Sequence, residues 1–539
     1  MNPGTARLTR TLALSALALA LAAPRAPAQD TTASAADWAA RNEVVYQIFV
    51  RSFRDSNGDR IGDLRGIQEE LPYLQRLGVT SLLLTPVNPS PTYHNYFASA
   101  FYGVDPDYGD ARALHALVAA VHARGMKIYL DEEIQYATFD NPWFVKALGH
   151  PLSPYGHYLL YDGPGNTDPS PIIYGLKALP TWTGVNIPVA PVNLHDPAVL
   201  RYFEGLFASL ASRRGDDVDG FRLDHMQDEL DGNPRLAHLF DDFWAPVLAA
   251  ARAVHPGLEV FAEQADWGFG EDWLTRGRAD LVFAFPLERA IGSLNRDSIA
   301  AAIRQTLART PPGKGQLIFI ENHDMSRFAS RMGGDLRKEK VGAALDVLLA
   351  GTPLIYYGQE IGMLGEQSHA WSSDANDIPD REAMKWTAKV ACRGCAVWYQ
   401  DTGPWWTNRF NRDDDGISVA EEQGDPNSLL SFYRTVLALR RERAEIRLGD
   451  ERVLAAGAPG VLAVLRATPA AASLLLVNLS DSAATAAVPR DSLPATLSGP
   501  LVDLLSGGPP SASGAALGVA LPPWGIALMA RAGASGRGR

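Results

Sequence analysis

The stretch DVDGFRLDHM (residues 217–226) delivers an arginine and an aspartate, two residues apart, at the end of a short apolar run. Burying an unpaired charge costs several kcal/mol. A strand ending on Arg222 and Asp224 therefore needs partner charges brought in from elsewhere in the chain. Because side chains alternate along a strand, positions 222 and 224 face the same side, so one set of partners can serve both.

Seven other runs have the same character. They are VVYQIFVRSF (44–53), SLLLTPV (81–87), KIYLDE (127–132), EVFAEQ (259–264), ADLVFAFP (279–286), LIFIENHD (317–324) and PLIYYGQE (353–360), with GFRLDH (220–225) fourth in order. Between them lie stretches of helical periodicity such as LRGIQEELPYLQRLG, ARALHALVAAVHARG, PAVLRYFEGLFASLASRRG and KVGAALDVLLAGT, two of which end on Gly just before the next strand. Eight strand–helix alternations predict an α/β fold, a (β/α)8 TIM barrel. Several runs change from apolar to charged at their C-terminal ends, giving Arg51, Asp131, Arg222, Asp224, Glu263, His323, Asp324 and Glu360. In such a barrel those ends converge on the face that carries the active site.

The rhythm breaks at residues 132–191, a segment rich in Pro, Gly, Tyr and Asn that reads as a subdomain inserted after the third strand. The barrel then comprises 29–131 and 192–445. From 446 to 539, VLAVLRA, SLLLVNLS, TAAVP and GIALMAR alternate with Gly, Pro and Ser turns, which predicts a C-terminal antiparallel β-sandwich. At the other end, Arg7 and Arg10 precede the run TLALSALALALAA, and Ala26 and Ala28 have signal-peptidase spacing. Residues 1–28 read as a removed secretion signal, since the run falls short of the ~20 residues that span a bilayer. An exported protein, periplasmic or extracellular, sits where disulfides persist, so Cys392 and Cys395 in ACRGC are expected to pair locally. The 539-residue chain is 46% hydrophobic and 20% charged, ordinary for a globular protein, and its net charge of −12 opposes binding to phosphate backbones or anionic lipid. A neutral substrate suits this balance; nucleic acid and a membrane span in the mature chain do not.

Asp224, Glu263 and Asp324 end three separate strands, with Glu263 and Asp324 lying 39 and 100 residues beyond the first. Two carboxyl groups about 5 Å apart, one nucleophile and one proton donor, equip a retaining glycosidase. A third carboxylate suits sugar hydroxyls, and Arg222 beside Asp224 favours its ionised form. GFRLD, VFAE and FIENHD resemble three sequence regions of the α-amylase family, glycoside hydrolase family 13, and further matches run from about 44 to 450. VVYQIFVRSF, YHNYF, GTPLIYYGQEIGM and DIPDREAMKW resemble other segments of its catalytic domain. The resemblance implies Asp224 as nucleophile, Glu263 as general acid/base and Asp324 as transition-state stabiliser. It implies Arg222, His323, Tyr96 and His94 as the holders of the glucosyl unit under attack, and no organic cofactor.

In DSNGDRIGD, Asp55, Asn57, Asp59 and Asp63 alternate oxygen donors, with the Ile61 carbonyl between them. Hard oxygens at that density suit Ca²⁺, and the family has a calcium loop of this form after its first strand. Two regions depart from the family pattern. In LDEEIQYA, Asp131 matches while Gln135 and Tyr136 stand in the Asn and His places; Tyr136 still supplies a hydrogen-bonding, stackable group toward substrate. After the nucleophile, Gln227 and Asp228 replace the usual Lys-His. These positions commonly serve a second calcium site and substrate contacts, so neither that site nor ordinary contacts are expected there. VAPVNLHDP matches neither the α-1,6-glucosidase nor the neopullulanase version of its region beyond Asn193 and Pro197. Aromatic side chains are dense in and near the insert (Tyr155, Tyr158, Tyr161, Tyr174, Trp182) and again at Trp398, Tyr399, Trp405 and Trp406. Each can pack an irregular loop or offer a flat face to a sugar ring. The expected activity is hydrolysis of α-1,4-glucosidic bonds in starch, glycogen or maltooligosaccharides with retention. The rivals are an α-glucan transglycosylase, an α-1,6-glucosidase or a cyclomaltodextrinase-like relative, and a glucan-binding protein without catalysis.

Overall fold

All eight runs become parallel strands, and their pairing closes on itself. In the computed structural model, which describes residues 43–403, 406, 410–508, 511–513 and 515–532, they are β1 (Val45–Ile48), β2 (Ser81–Leu84), β3 (Lys127–Glu132), β4 (Gly220–Met226), β5 (Glu259–Gln264), β6 (Leu281–Phe283), β7 (Gly315–Ile318) and β8 (Thr352–Tyr356). Each pairs with the next, and β8 pairs back onto β1 to give a closed barrel. The expected secretion signal and Trp405 lie outside the described residues. The barrel interior is filled from alternate strand positions by Val45, Leu83, Tyr129, Phe261, Leu281, Phe283, Leu317 and Leu354, so the lumen is a packed core rather than a pore.

The sequence rules for helix ends hold locally. Asp63 caps the helix Leu64–Leu77 by accepting from the Gly66 N–H, and Gly78 closes it at φ 107°. Asp196 caps Pro197–Ala211, with Pro197 in the first turn. Gly220 is required for contact rather than for torsion: a Cβ there would lie 1.9 Å from the Glu259 carbonyl oxygen on the neighbouring strand.

Three strand ends differ from expectation, the seventh run leaving the sheet after Ile318 so that His323 and Asp324 stand in the loop beyond it. The first run leaves the sheet after Ile48, and Val50–Phe53 forms one helical turn in which Arg51 binds Asp107 at 2.6 Å. Glu360 does not join the others at the barrel mouth. The chain turns away through Gly358, at φ 80°, and the Glu360 carboxylate is buried, accepting from the Tyr46 and Tyr73 hydroxyls at 2.8 and 2.6 Å.

Within the insert, Tyr136–Thr138 and Ala178–Pro180 pair antiparallel with Asn186–Pro191. At the C-terminal end, a five-stranded and a three-stranded antiparallel sheet face one another. Leu465, Leu474, Leu476 and Met529 from the first pack with Val488, Leu517, Val519 and Leu521 from the second to form a core separate from the barrel's. This sandwich grips the barrel through Arg466, which donates to the carbonyls of Leu348 (3.2 Å) and Gly449 (2.9 Å), while Glu451 accepts from the Ala350 N–H (2.7 Å). Among the described residues no helix is long and apolar enough to cross a membrane.

Candidate active site

The question posed by DVDGFRLDHM is answered at the C-terminal mouth of the barrel. Arg222 is fully buried and serves three carboxylates at once: Asp131 on β3 (2.8 Å), Asp224 on its own strand, and Glu263 on β5 (2.8 Å). The β3–β4 register sets Asp131 level with Arg222, which is why the two meet. Asp224 and Glu263 are thus bridged by the two terminal nitrogens of one guanidinium, whose several donors let it make charge-assisted bonds to more than one carboxylate. Glu263 also accepts the backbone N–H of His225 at 3.1 Å.

Beyond β7, His323 and Asp324 complete the ring. The His323 Nδ1 meets the Gln47 amide at 3.0 Å, and its Nε2 meets the Tyr96 hydroxyl at 2.6 Å and Asp324 at 3.1 Å. Tyr96 stacks on the His323 ring, 5.2 Å between centroids, and donates its hydroxyl to Asp131 at 2.6 Å. Asp324 is the exposed member, with 44% of its side chain accessible, and it is held by Arg381 at 3.0 Å. Five expected residues (Arg222, Asp224, Glu263, His323, Asp324) and Tyr96 therefore form one connected group.

Electrostatics separate these groups. Burial pushes the Glu263 carboxyl up to about 7; Arg222 opposes the shift, while Asp224 and Asp324 add to it. Burial also raises Asp224, and Arg222 acts against it. Asp131 is pushed up to about 6 by burial against the same arginine. His323 is held well below the ordinary imidazole range by burial and then by Arg222 and Arg381, so it is neutral. Pairs of carboxyls whose environments differ are how a site holds a proton donor beside an ionised group.

His94 lies at the rim of this group. Its Nδ1 accepts from the Tyr96 N–H (3.3 Å), its Nε2 is 3.7 Å from Asp374, and burial holds it neutral. Tyr136 is set further out: its buried ring stacks on Phe97 and its hydroxyl donates to Asp231 at 2.7 Å. Gln135 donates to the Asp224 and His225 carbonyls, both at 3.2 Å. Asp228 accepts from the Phe240 N–H (2.9 Å) and pairs with Arg276 (2.8 Å), so it braces the following turn. A groove of about 370 Å³ opens between the insert and the segment after β4, lined by Asp162, Ile172, Tyr174, Asp231 and Arg235 among others. Tyr174, at its edge, is 85% exposed.

Three contributors were missed from the sequence. Arg381 binds Asp324, the His323 carbonyl (2.8 Å) and Tyr93 (2.8 Å); Gln47 orients His323; Asp231 anchors Tyr136. Asp231 sits in the turn after β4 and Arg381 at the end of the short helical segment Asp374–Arg381, where no periodicity marks them; the one signal is that Arg381 stands within DIPDREAMKW. The expected local disulfide between Cys392 and Cys395 is present. It closes a loop whose Gly394 carbonyl accepts from the Asp55 N–H (3.1 Å), and downstream Trp398 stacks on Tyr93 at 4.8 Å, beside His94.

The loop expected to bind calcium is folded on itself. Asp55 accepts from the N–H groups of Asn57, Gly58 and Arg60, Asp59 from that of Ile61, and Asp63 caps its helix and holds Ser56. Its donors are all hard oxygens, which is calcium chemistry, but among the described residues no group of three or more His, Cys, Asp or Glu is placed to hold a metal.

The model of the α-amylase catalytic domain matches residues 47–449, which covers every element of this site. The chain belongs to the α-amylase family. Among curated relatives of this α-amylase-family chain are alpha-amylase 3 of Dictyoglomus thermophilum, 28% identical over 74% of the chain and 77% of that protein, and the 4-alpha-glucanotransferase of Thermotoga maritima, 31% identical over 74% and 87%. A solved structure, the alpha-amylase from H. orenii, superposes with a TM-score of 0.74 at 26% identity, covering 90% of this family member and 99% of that chain.

Proposed function

We propose that this protein is an exported α-glucan hydrolase cleaving α-1,4-glucosidic bonds with retention. The observation that carries the reading is the single buried guanidinium of Arg222 joining Asp224 to Glu263, with Asp324 across the mouth. Glu263, protonated near neutrality, donates its proton to the leaving oxygen as the ionised Asp224 attacks the anomeric carbon. The Glu263 carboxylate then takes a proton from the water that cleaves the glycosyl ester. Tyr96, His323 and Arg222 hold the glucosyl unit, with His94 at the rim, and Asp324 binds hydroxyls whose hydrogen bonds strengthen in the transition state. The groove beside Asp231 and Tyr174 accommodates further glucose units, with Tyr136 supporting it through Asp231.

The relatives named glucanotransferases give a second reading, in which a sugar hydroxyl replaces water in the second step. A time course of products from maltoheptaose and soluble starch separates the two. Hydrolysis gives only shorter maltooligosaccharides, whereas transfer gives longer or rearranged ones. Neither product would overturn both readings and leave a glucan-binding protein.

Calcium at the Asp55, Asn57, Asp59, Ile61 and Asp63 loop belongs to this proposal on donor chemistry alone, and no catalytic step runs through the ion. Bound there, it would brace the segment after β1. Added calcium is expected to raise the melting temperature and chelation to lower it, with kcat at low temperature unchanged; a melting temperature indifferent to calcium removes the site.

A further inference from the structure

The strand that carries Asp224 does not continue regularly past it. Register between β4 and β5 shifts between Leu223 and Met226, and His225 takes φ +44°, a left-handed conformation uncommon outside glycine that histidine, like Asn and Asp, enters more readily than other side chains. That conformation accompanies the 3.1 Å bond from the His225 N–H to the Glu263 carboxylate. The ring is held in turn. Its Nε2 contacts the Gln227 amide and lies 3.5 Å from Asp231 Oδ1; the Asp231 N–H donates to Gln227 Oε1 at 3.2 Å; and Asp231 Oδ2 accepts from Tyr136. His225, Gln227 and Asp231 close on one another beside Glu263 with Tyr136 attached through Asp231, and none of the four takes part in the proton transfers or the attack described above, although Asp231 also borders the groove.

We propose that His225 is a positioning residue for the general acid: its ring, pinned by Gln227 and Asp231, keeps residue 225 in the left-handed conformation and so keeps its N–H on the Glu263 carboxyl. The inference rests on the proposed role of Glu263. An N–H that favours the ionised carboxyl limits the rise caused by burial, and Arg222 acts in the same direction while Asp224 and Asp324 oppose both. The ring faces Asp224, Glu263 and Asp231. Burial disfavours its imidazolium, but the hydrogen bond to Asp231 and the two catalytic carboxylates outweigh this and raise its pKa. Gln227 and Tyr136, at positions where the chain departs from its family's pattern, thereby acquire a structural reason.

The test compares wild type, His225→Ala and His225→Asn on maltoheptaose and on 4-nitrophenyl α-maltopentaoside. Nitrophenolate departs without a proton, whereas a sugar alkoxide needs one. His225→Ala is expected to lose about tenfold in kcat on maltoheptaose, short of the roughly 100- to 10,000-fold that an acid–base group itself contributes because Glu263 is still present, and less on the nitrophenyl substrate. The basic limb of its pH profile should move to higher pH, because the N–H that favoured the carboxylate is lost. Asn tolerates positive φ, so His225→Asn should keep the N–H in place and restore the limb. Equal losses on both substrates with an unmoved limb overturn the role of His225 while the hydrolase stands; a wild type that cleaves neither substrate overturns both. If His225→Ala does not fold, Asp231→Gly, at a position that already takes φ 54°, removes the carboxylate that holds the ring without touching residue 225 and should move the limb the same way; an unmoved limb there overturns the role.

Discussion

At the scale of single residues, the site is organised by one cation. Arg222 touches the three carboxylates of Asp131, Asp224 and Glu263, so its charge is shared and burial still raises every one of them. The consequence is a defined pH profile. Glu263 must carry a proton to act as donor, and it loses that proton as pH rises through about 7, so kcat/KM should fall on that side. Asp224 must be ionised to attack, so activity should also fall as pH drops through its raised value. Rates measured across pH are expected to trace a bell with a basic limb near neutrality; a limb set several units higher would contradict the assignment of Glu263. Glu263→Gln keeps the shape but has no proton to give, and a loss of about 100- to 10,000-fold in kcat is expected. Its melting temperature should stay near wild type.

At the scale of elements, β4 shows how much the sequence could tell and where it stopped. GFRLD was legible because an apolar run, a glycine and two charges in a period of two leave few alternatives. The close approach at Gly220 explains the glycine: Gly220→Ala would drive a Cβ into the Glu259 carbonyl and break the β4–β5 pairing that sets Arg222 against Glu263. Little soluble protein is the expected result, assessed by yield and circular dichroism. The eight barrel strands were readable because each is a buried apolar run. The insert's strands were not, since Tyr136–Thr138 and Ala178–Pro180 are three residues each and Pro-rich neighbours mask any period. The same limit applies to the site. Asp224 and Glu263 lie at strand ends and Asp324 in the loop just past β7, at the end of a readable run; Arg381, Asp231 and the bend at His225 owe their places to turns that no periodicity encodes. Glu360, read as a mouth residue, was misplaced because Gly358 redirects the chain after β8.

At the scale of the whole molecule, the barrel and the sandwich are joined through the turn before β8. Arg466 and Glu451 approach at 3.6 Å with both side chains buried, and together they bind the backbone of residues 348 to 350. Removing one partner of such a pair leaves an uncompensated buried charge, which costs about 3–5 kcal/mol. Arg466→Ala should therefore lower the melting temperature of the whole protein; a sandwich that melts alone, with the barrel's transition unmoved, would show that the two cores are independent. The disulfide works at a shorter range. Its two cysteines are only three positions apart, and a cross-link removes less freedom from the unfolded chain the smaller the loop it closes. The order of events in making the protein follows from that. The barrel can assemble while both thiols are still reduced, and oxidation afterwards fastens only the ring carrying Gly394, so the chain should reach its native topology in a reducing host and acquire the bond later, on exposure to air.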